Sequence, residues 1–484
     1  MRYRLLVPVA ALATVWATTF AADAATTLIQ VSSDPYTNST SQHATEVEPD
    51  TFSFGSTIVE AAQVGRFYDG GASNAGWATS TDNGSTWTHG FLPGITKYAG
   101  GSYDRASDEV VAYDAAHNAW LISTLAILET PSVHGAAVVT SRSTDGGLTW
   151  SNPVTTATGS GLDKNWIVCD NTSTSPYYGH CYTEFDDNAN GNKLYMSTST
   201  DGGLTWGTPK ATANSATGIG GQPVVQPSGT VIVPAGNASD SAIIAFNSTN
   251  GGTSWSSTTT VTTISDHTVA GSLRTEPLPS AEIDAAGKVY VTWQDCRFRT
   301  ACKSNDIVMS TTTNGTSWTS IVRIPIDSTT SGVDHFIPGL AVDKATSGTS
   351  AHLGLTYYYY PVANCSSSTC QLDVGYVSST NGGSSWTAPI QVAGPMSLSQ
   401  IANTSQGRMV GDYISTSFAG GTAHSVFAVG KAPTNGQAFD EALYTTASGL
   451  SAPVGAVVTT AGGEQPVPGA ASDHVAARAP IIRY

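Results

Sequence analysis

Three arginines occupy comparable positions in the sequence, each next to an acidic residue and just before an apolar, strand-like run. They are Arg105 in YDRASDEVVAYD, Arg274 in LRTEPLPSAEID and Arg408 in GRMVGDYISTSF. Guanidinium groups bind carboxylates in a bidentate manner, so three of them in one place would hold an anionic ligand. The alternatives are exposure to solvent or local ion pairs, namely Arg105 with Asp108, Arg274 with Glu276, and Arg408 with Asp412.

Further polar side chains precede or begin the other strand-like runs. They are His43, Glu46, Glu48, Tyr103, Asp163, Lys164, Asn165, Gln222, Asp334, His335 and Tyr413. Imidazole, carboxyl and phenol groups exchange protons with a bound substrate, and Lys neutralises negative charge. These residues can share one site only if the fold brings the starts of the strands together.

A possible metal-binding motif is weak. Asp186–Gly191 (DDNANG) matches the first half of a calcium loop, but the twelfth position is Ser197 and not the required Glu. A polar turn is the preferred interpretation, and a structural calcium ion is the alternative. The sequence contains no HExxH, P-loop or dinucleotide-binding motif, and no cofactor is expected.

One phrase recurs along the chain and indicates which elements must position these residues. Its six copies are STDNGSTW (80–87), STDGGLTW (143–150), STDGGLTW (199–206), STNGGTSW (248–255), TTTNGTSW (311–318) and STNGGSSW (379–386). Asp or Asn followed by Gly predicts a tight hairpin turn, and the Trp begins the next strand. About four short strands fit in each period of roughly 60 residues, which is typical of a propeller blade.

The copies resemble the Asp-box (BNR) repeat, S-x-D-x-G-x-T-W, of sialidases and related β-propellers. The resemblance covers nearly the whole mature chain and implies an all-β propeller of four-stranded antiparallel blades, with the boxes at the periphery. A structural role for the box is favoured because Asn250, Thr313 and Asn381 replace Asp in three copies. Three more strand-like runs follow the sixth box, and TLIQVS near the N-terminus supplies a fourth strand. Seven blades are therefore favoured, and six are the alternative.

The resemblance also implies roles for individual residues. Arg274 and Arg408 match the later two members of a three-arginine carboxylate clamp, Tyr413 the nucleophile, Glu276 its base and Asp108 the acid/base. The Arg-Ile-Pro motif expected near the start of the domain is missing there; the only copy, Arg323–Pro325, follows the fifth box. Arg105 or Arg66 would have to supply the first clamp residue.

Three classes of function follow from these residues. The first is an exo-acting glycoside hydrolase of sialidase type, which acts on terminal anionic sugars. The second is a polysaccharide lyase for uronic-acid glycans, with His43 or His335 as base and Tyr103 or Tyr413 as acid. The third is a non-catalytic glycan- or surface-binding propeller. For an anionic glycan, the substrate-binding candidates are Arg105, Arg274, Arg408, His43, Glu46, Arg66, Lys164 and His335.

The ends and the composition predict an exported protein. Arg2 and Arg4, an apolar stretch and an A-x-A site at 22–24 describe a signal peptide over residues 1–24. Its removal leaves 18 basic against 35 acidic residues, which disfavours nucleic acid as a partner. A single propeller domain is expected over residues 25–447, followed by a tail over 448–484 that is poor in charge and is expected to be partly disordered.

The six cysteines form three close pairs in the sequence. They are Cys169 with Cys181, Cys296 with Cys302, and Cys365 with Cys370. In an oxidising compartment an even number at such spacing favours disulfides, and pairing between nearest neighbours is preferred among the fifteen possible connectivities.

Overall fold

A computed structural model describes residues 26–434, 436–451, 457–460 and 464–467. The predicted signal peptide, residues 1–24, lies outside the described residues. Within them, the regular structure is almost entirely β-strand, and no helix is long and apolar enough to cross a membrane.

The strands are numbered in chain order. The first nine are β1 (Leu28–Gln30), β2 (Glu46–Phe54), β3 (Thr57–Arg66), β4 (Ala72–Ser80), β5 (Thr88–Phe91), β6 (Arg105–Asp114), β7 (Ala119–Leu128), β8 (His134–Ser143) and β9 (Val154–Thr158). The next nine are β10 (Leu162–Cys169), β11 (Cys181–Asp187), β12 (Lys193–Ser199), β13 (Lys210–Ala211), β14 (Gly218–Ile219), β15 (Val224–Val225), β16 (Val231–Asn237), β17 (Ala242–Ser248) and β18 (Thr259–Thr263).

The second half of the chain follows the same alternation of strands and turns. Its strands are β19 (Ser280–Ile283), β20 (Val289–Asp295), β21 (Asp306–Thr312), β22 (Val322–Arg323), β23 (Asp334–Val342), β24 (Leu353–Tyr360), β25 (Gln371–Ser379), β26 (Ser385–Thr387), β27 (Ile390–Ser397), β28 (Asn403–Thr404), β29 (Gly407–Arg408), β30 (Ser415–Ala419), β31 (Thr422–Gly430), β32 (Glu441–Thr446) and β33 (Val457–Thr460). Single 3₁₀ turns occupy Lys97–Ala99, Asn188–Asn190, Ala270–Ser272, Thr300–Cys302, Gly348–Ser350 and Leu398–Gln400.

Consecutive strands pair antiparallel into repeated sheets, which we number 1 to 7 within the described part of the chain. Sheets 1 to 7 comprise β2–β5, β6–β9, β10–β13, β14–β18, β19–β22, β23–β25 with β27, and β30–β32 with β1. A single bridge, Ala72 to Ala106, joins sheets 1 and 2. In sheet 7 the N-terminal strand lies outermost, with Leu28 opposite Thr446, so the predicted pairing of this strand with the last run of strands is present.

Each sheet contributes one inner strand that hydrogen-bonds or packs against the inner strand of the next sheet. These inner strands are β2, β6, β10, β15, β19, β23 and β30. Ser280 Oγ accepts from Leu340 N at 3.0 Å, and Thr416 Oγ1 donates to Gly339 O at 3.0 Å. Thr51 Oγ1 lies 2.9 Å from Ser415 Oγ, so sheet 1 also packs against sheet 7.

The six repeated phrases form turns after the last but one strand of each of sheets 1 to 6. In the second copy, Ser143 Oγ accepts from Gly147 N at 3.0 Å and Asp145 Oδ1 accepts from Thr149 N at 3.0 Å. The same bonds recur in the other copies, with Asn in place of Asp in three of them; in the fifth copy Asn314, and not Thr313, is the acceptor. These bonds make the box a structural turn.

The buried glycine of each turn packs on the preceding sheet. A Cβ on Gly147, whose φ is +80°, would lie 2.7 Å from Val59 Cγ2 in sheet 1, and Gly147 O accepts from Thr79 Oγ1 at 2.8 Å. The turn of sheet 1 packs in the same way on His424 of sheet 7. Each box therefore connects two sheets, which explains the requirement for glycine at this position.

Three disulfides join the cysteines in the predicted nearest-neighbour pairs, and no described cysteine is free. The described parts of the tail lie against the sheets: Val457–Thr460 pairs with Ser385–Thr387, and Glu464 Oε2 lies 3.0 Å from the guanidinium of Arg323. The Asp186–Gly191 segment is a turn in which Asp187 Oδ1 accepts from Ala189 N at 3.1 Å.

Candidate functional site

β-Bulges at the start of three inner strands turn charged side chains toward one another. Pairing with the second strand is interrupted between Val47 and Asp50, between Ser107 and Val110, and between Asp163 and Trp166. Within these bulges Glu48, Asp108 and Lys164 have left-handed backbones, with φ of 58°, 53° and 47°. Positive φ is unfavourable for such residues, and a bulge redirects the side chain it carries. Equivalent local geometry in three sheets thus places three charged groups at the same level.

Lys164 lies at the centre of the resulting group of charges. Its Nζ is 3.2 Å from Glu48 Oε1, 2.9 Å from Asp108 Oδ1 and 2.8 Å from Asp412 Oδ2. No side chain among the four is more than 3% exposed. Four different sheets or their leading loops contribute to this contact, which therefore ties distant parts of the chain together.

Two arginines complete what we call the ion cluster, which comprises Glu48, Arg66, Asp108, Lys164, Arg274 and Asp412. Arg274 binds the carboxylate of Asp412. Arg66 donates from Nη1 to Gln63 Oε1, and its positive charge acts on that of Arg274. Three carboxylates thus face three cations, so the cluster is neutral overall.

The pKa values of the cations reflect the balance between burial and pairing. Burial alone would lower the pKa of Lys164, but the attraction of Asp108, Asp412 and Glu48 outweighs it and raises this pKa well above its usual value. Arg274 follows the same pattern, with Asp412 and Glu276 as the strongest partners. For Arg66, burial and the nearby charge of Arg274 lower the pKa to about 10. Lys164 and Arg274 therefore remain charged at any physiological pH.

Tyr413 lies beside the cluster. Its hydroxyl donates to the main-chain oxygen of Glu109 at 3.4 Å, and its ring meets Trp166 edge-on with the centroids 5.2 Å apart. Burial, followed by the charges of Glu48 and Asp108, raises the pKa of Tyr413 well above its ordinary value. The phenol is therefore neutral, and the described contacts bind its hydroxyl to a carbonyl group and not to Glu276.

The other two arginines of the expected clamp have different partners. Arg105 Nε lies 2.9 Å from Glu129 Oε1 and its Nη1 binds Asp69. These contacts join Arg105 neither to the other two arginines nor to Asp108. Arg408 Nη1 donates to Ile401 O. Arg274 is thus the one member of the expected trio that the described contacts place in the ion cluster, where Arg66 and Lys164 supply the other cations.

The remaining predicted residues lie in separate environments. His43 Nδ1 is 3.0 Å from Asp34 Oδ2, and Glu46 Oε2 accepts from Ser32 Oγ at 2.7 Å. Burial raises the pKa of Glu46 to about 8. His335 is buried, with Nδ1 3.3 Å from Asn305 O, and burial lowers its pKa. None of these contacts joins the ion cluster.

His335 belongs to a group that has the spacing of metal ligands. One ligand atom each of Asp306, Asp327 and His335 lies within 4.8 Å of the others. Arg299 and Arg323 both bind these two carboxylates. The positive charge that a metal ion would supply is already present in the side chains.

The inner strands of all seven sheets line one cavity of about 710 Å³, which we call the central cavity. In sheets 1, 2, 3, 5 and 7 a residue of the ion cluster comes before the lining residues of the inner strand, so the cluster lies at one end of the cavity. At the other end the lining includes exposed residues of turns, among them Gly55, Lys344 and Gly420. The cavity therefore opens at the end of the strands opposite the ion cluster, and the volume falls within the roughly 300–1,000 Å³ usual for ligand sites.

Two carboxyl groups in the lining come from different sheets. Asp50 in sheet 1 is 4% exposed and accepts from Val111 N at 2.8 Å. Burial raises its pKa to about 7, although bonds from Val111 and Ser415 oppose the shift. Burial also raises the pKa of Glu282 in sheet 5, whereas Lys344 lowers it, and the charge of Glu282 acts on Asp50.

Sequence patterns identified Gln222 but not Asp50, Glu282 or Trp166, which is one of the aromatic residues in the lining. A carboxylate two residues after the bulge, within an otherwise apolar strand, is the signal that could have identified Asp50. Gln222 Oε1 accepts from Ala281 N at 2.8 Å, and its amide nitrogen has no partner among the described residues. The lining thus combines acids, an amide donor, hydroxyls and an aromatic face.

Comparisons with known proteins give structural neighbours but no family. No family profile and no curated protein matches the sequence. A Dyadobacter fermentans protein of unknown function is 14% identical with a TM-score of 0.47, over 73% of this chain and 99% of that one. An ulvan lyase is 10% identical with a TM-score of 0.49, over 87% and 95% of the chains. A Hadza microbial sialidase is 12% identical with a TM-score of 0.44, over 80% and 75%. At these values none of them determines the fold or activity of this chain.

Proposed function

We propose that the seven sheets are the blades of a closed β-propeller. The proposal is supported by the contacts that link inner strands from sheet to sheet, by the Thr51–Ser415 contact between the first and last sheets, and by the cavity that all seven share. The N-terminal strand in sheet 7 would then join the two ends of the chain.

We further propose that the protein is a secreted carbohydrate-active enzyme, a glycoside hydrolase that takes the end of a glycan into the central cavity. The observation that carries this proposal is the lining itself. Sugar hydroxyls suit the acids, amide and hydroxyls, and an apolar sugar face suits the ring of Trp166. Because the cavity ends at the buried ion cluster, it would admit a chain end, which favours exo action. The three disulfides are consistent with an oxidising compartment.

Sialidase-type hydrolysis of a terminal anionic sugar is the second candidate. It is favoured by the position of Tyr413 beside Lys164 and Arg274, and by its contact with Trp166 of the lining. In this mechanism a sugar carboxylate takes the place of Asp412 on Arg274. The Tyr413 oxygen bonds to the anomeric carbon as the glycosidic bond breaks, with Glu276 taking the phenol proton and Asp108 giving a proton to the leaving oxygen. Water then displaces Tyr413 from the anomeric carbon, with Asp108 as its base. The reaction therefore requires the ion cluster to open.

Hydrolysis of fluorogenic glycosides tests both proposals. The mature protein is incubated with 4-methylumbelliferyl derivatives of sialic acid, uronic acids and neutral sugars. Release of the fluorophore from a neutral glycoside supports the cavity proposal. Release from the sialoside supports the sialidase type if Tyr413→Phe abolishes it. Tyr178→Phe, at an exposed position, is the matched control and should not change the rate.

Other outcomes would contradict the assignment. New ultraviolet absorbance on uronic-acid polymers without hydrolysis would identify a lyase. Binding on a glycan array without turnover of any glycoside would identify a binding protein and exclude the hydrolase.

A further inference from the structure

Asp50 and Glu282 project from different sheets toward the same cavity. Asp50 belongs to the inner strand of sheet 1 and Glu282 to that of sheet 5, and both line the central cavity. In a ring of seven, sheets 6 and 7 separate these two on one side and sheets 2, 3 and 4 on the other. The two residues therefore line one cavity from sheets that are not neighbours.

The surroundings of the pair are also suited to binding a sugar. Gln222 is 7% exposed, and its amide nitrogen is free to donate to a ligand because its oxygen is already bonded to Ala281 N. Trp166 lines the same cavity. An amide donor in the lining can hydrogen-bond to a sugar hydroxyl that enters the cavity.

We propose that Asp50 and Glu282 are the catalytic acid and base of the central cavity, an assignment that rests on the proposed hydrolase function. Asp50 gives its proton to the glycosidic oxygen as the bond from that oxygen to the anomeric carbon breaks. Glu282 takes a proton from a water molecule as the water oxygen bonds to the anomeric carbon. The net change is the addition of one water molecule across the glycosidic bond, with inversion at the anomeric carbon.

The electrostatic surroundings suit these separate roles. The pKa of Asp50 is raised to about 7, chiefly by burial, so its carboxyl group holds a proton in mildly acidic solution. Burial also raises the pKa of Glu282, but this side chain is partly exposed and Lys344 opposes the shift. Two carboxyl groups with different environments are typical of an acid and base pair.

The test compares glycosides that differ in leaving group. On a 4-methylumbelliferyl glycoside that the wild type hydrolyses, Asp50→Asn and Glu282→Gln should each lower kcat by about 10²–10⁴. On the 2,4-dinitrophenyl glycoside of the same sugar, Asp50→Asn should recover to within about tenfold of the wild type, because that leaving group needs no proton; Glu282→Gln should not recover. Asp201→Asn, in a peripheral turn, should leave both rates unchanged.

The outcomes separate the two proposals. If the wild type hydrolyses a glycoside and both variants keep its rate while folded by circular dichroism, the acid and base assignment is wrong and the hydrolase function stands. If the wild type hydrolyses none of the glycosides, both fail. NMR of the first-formed product gives an independent check, since retention of configuration would favour a covalent intermediate, as on Tyr413, over the Asp50 and Glu282 pair.

Discussion

One ammonium group binds three carboxylates in the ion cluster, and the loss of that cation would leave buried negative charges without compensation. Lys164→Met should therefore lower the free energy of unfolding by about 3–5 kcal/mol. Urea denaturation followed by circular dichroism measures the change. Lys303→Met, at an exposed position, should stay within about 0.5 kcal/mol of the wild type. An equally small effect of Lys164→Met would contradict the importance of this pairing.

Individual residues of the site were only partly predictable from the sequence. The segment LDKNWIV drew attention to Lys164 because a charged residue precedes an apolar run. Its pairing with Glu48, Asp108 and Asp412 was not predictable, since bulges in sheets 1 and 2 and the loop before β30 bring these residues together. The predicted three-arginine clamp included Arg105 and Arg408. Their partners, Glu129 and Ile401, are fixed by local loops that sequence spacing does not reveal.

At the scale of single elements, the repeated turn is acid-sensitive where it carries Asp. Partial burial opposes ionisation of Asp145, but hydrogen bonds from Thr149 and Ser143 outweigh it and lower its pKa to about 2. Because this pKa is depressed on folding, ionised Asp145 stabilises the protein above pH 4 and the contribution is lost as the pH falls from about 4 to 2.

The substitution Asp145→Asn should remove this pH dependence. Asn250 shows that an amide keeps the turn, since its Oδ1 accepts from Ser254 N at 3.0 Å and its Nδ2 donates to Ser254 Oγ at 2.8 Å. Stability at pH 7 and turnover should change little. As the pH falls from 4 to 2, the free energy of unfolding of the variant should increase relative to that of the wild type. Urea titrations at several pH values would show this, and a constant difference would contradict it.

The Trp of the box differs in burial from copy to copy, and its contribution to the free energy of unfolding should increase with burial. Trp386 is 1% exposed and belongs to Ser385–Thr387, the strand that pairs with Val457–Thr460. Trp386→Ala should cost about 3–5 kcal/mol of unfolding free energy, whereas half-buried Trp150→Ala should cost less. Denaturant titrations of the two variants test this order, and a reversed order would contradict it.

The sequence predicted the elements better than their connections. The period of the box located the last but one strand of each of six sheets, because the Gly and Trp requirements of the turn are local. The extra short strand of sheet 4 and the pairing of Val457–Thr460 with Ser385–Thr387 depend on distant backbone edges, so the local pattern did not predict them.

At the scale of the whole molecule, strand β1 connects the two ends of the chain. Leu28, Ile29 and Gln30 pair with Thr446, Thr445 and Tyr444, and Val31 N donates to Leu443 O at 2.9 Å. In a closed propeller this pairing is the seam, so its loss would expose the edge of sheet 7 and free the first and last blades from each other.

Deletion of residues 26–31 should therefore lower Tm and broaden the thermal transition. A synthetic peptide of residues 26–33 added to the deleted protein should bind the exposed edge of β32 and restore part of Tm in a concentration-dependent way, since binding to the folded state stabilises it by mass action. The same peptide with Ile29→Pro is the control, because proline cannot donate a main-chain hydrogen bond to the neighbouring strand. If the deleted protein unfolds like the wild type, or if both peptides act alike, the N-terminal strand does not close the ring.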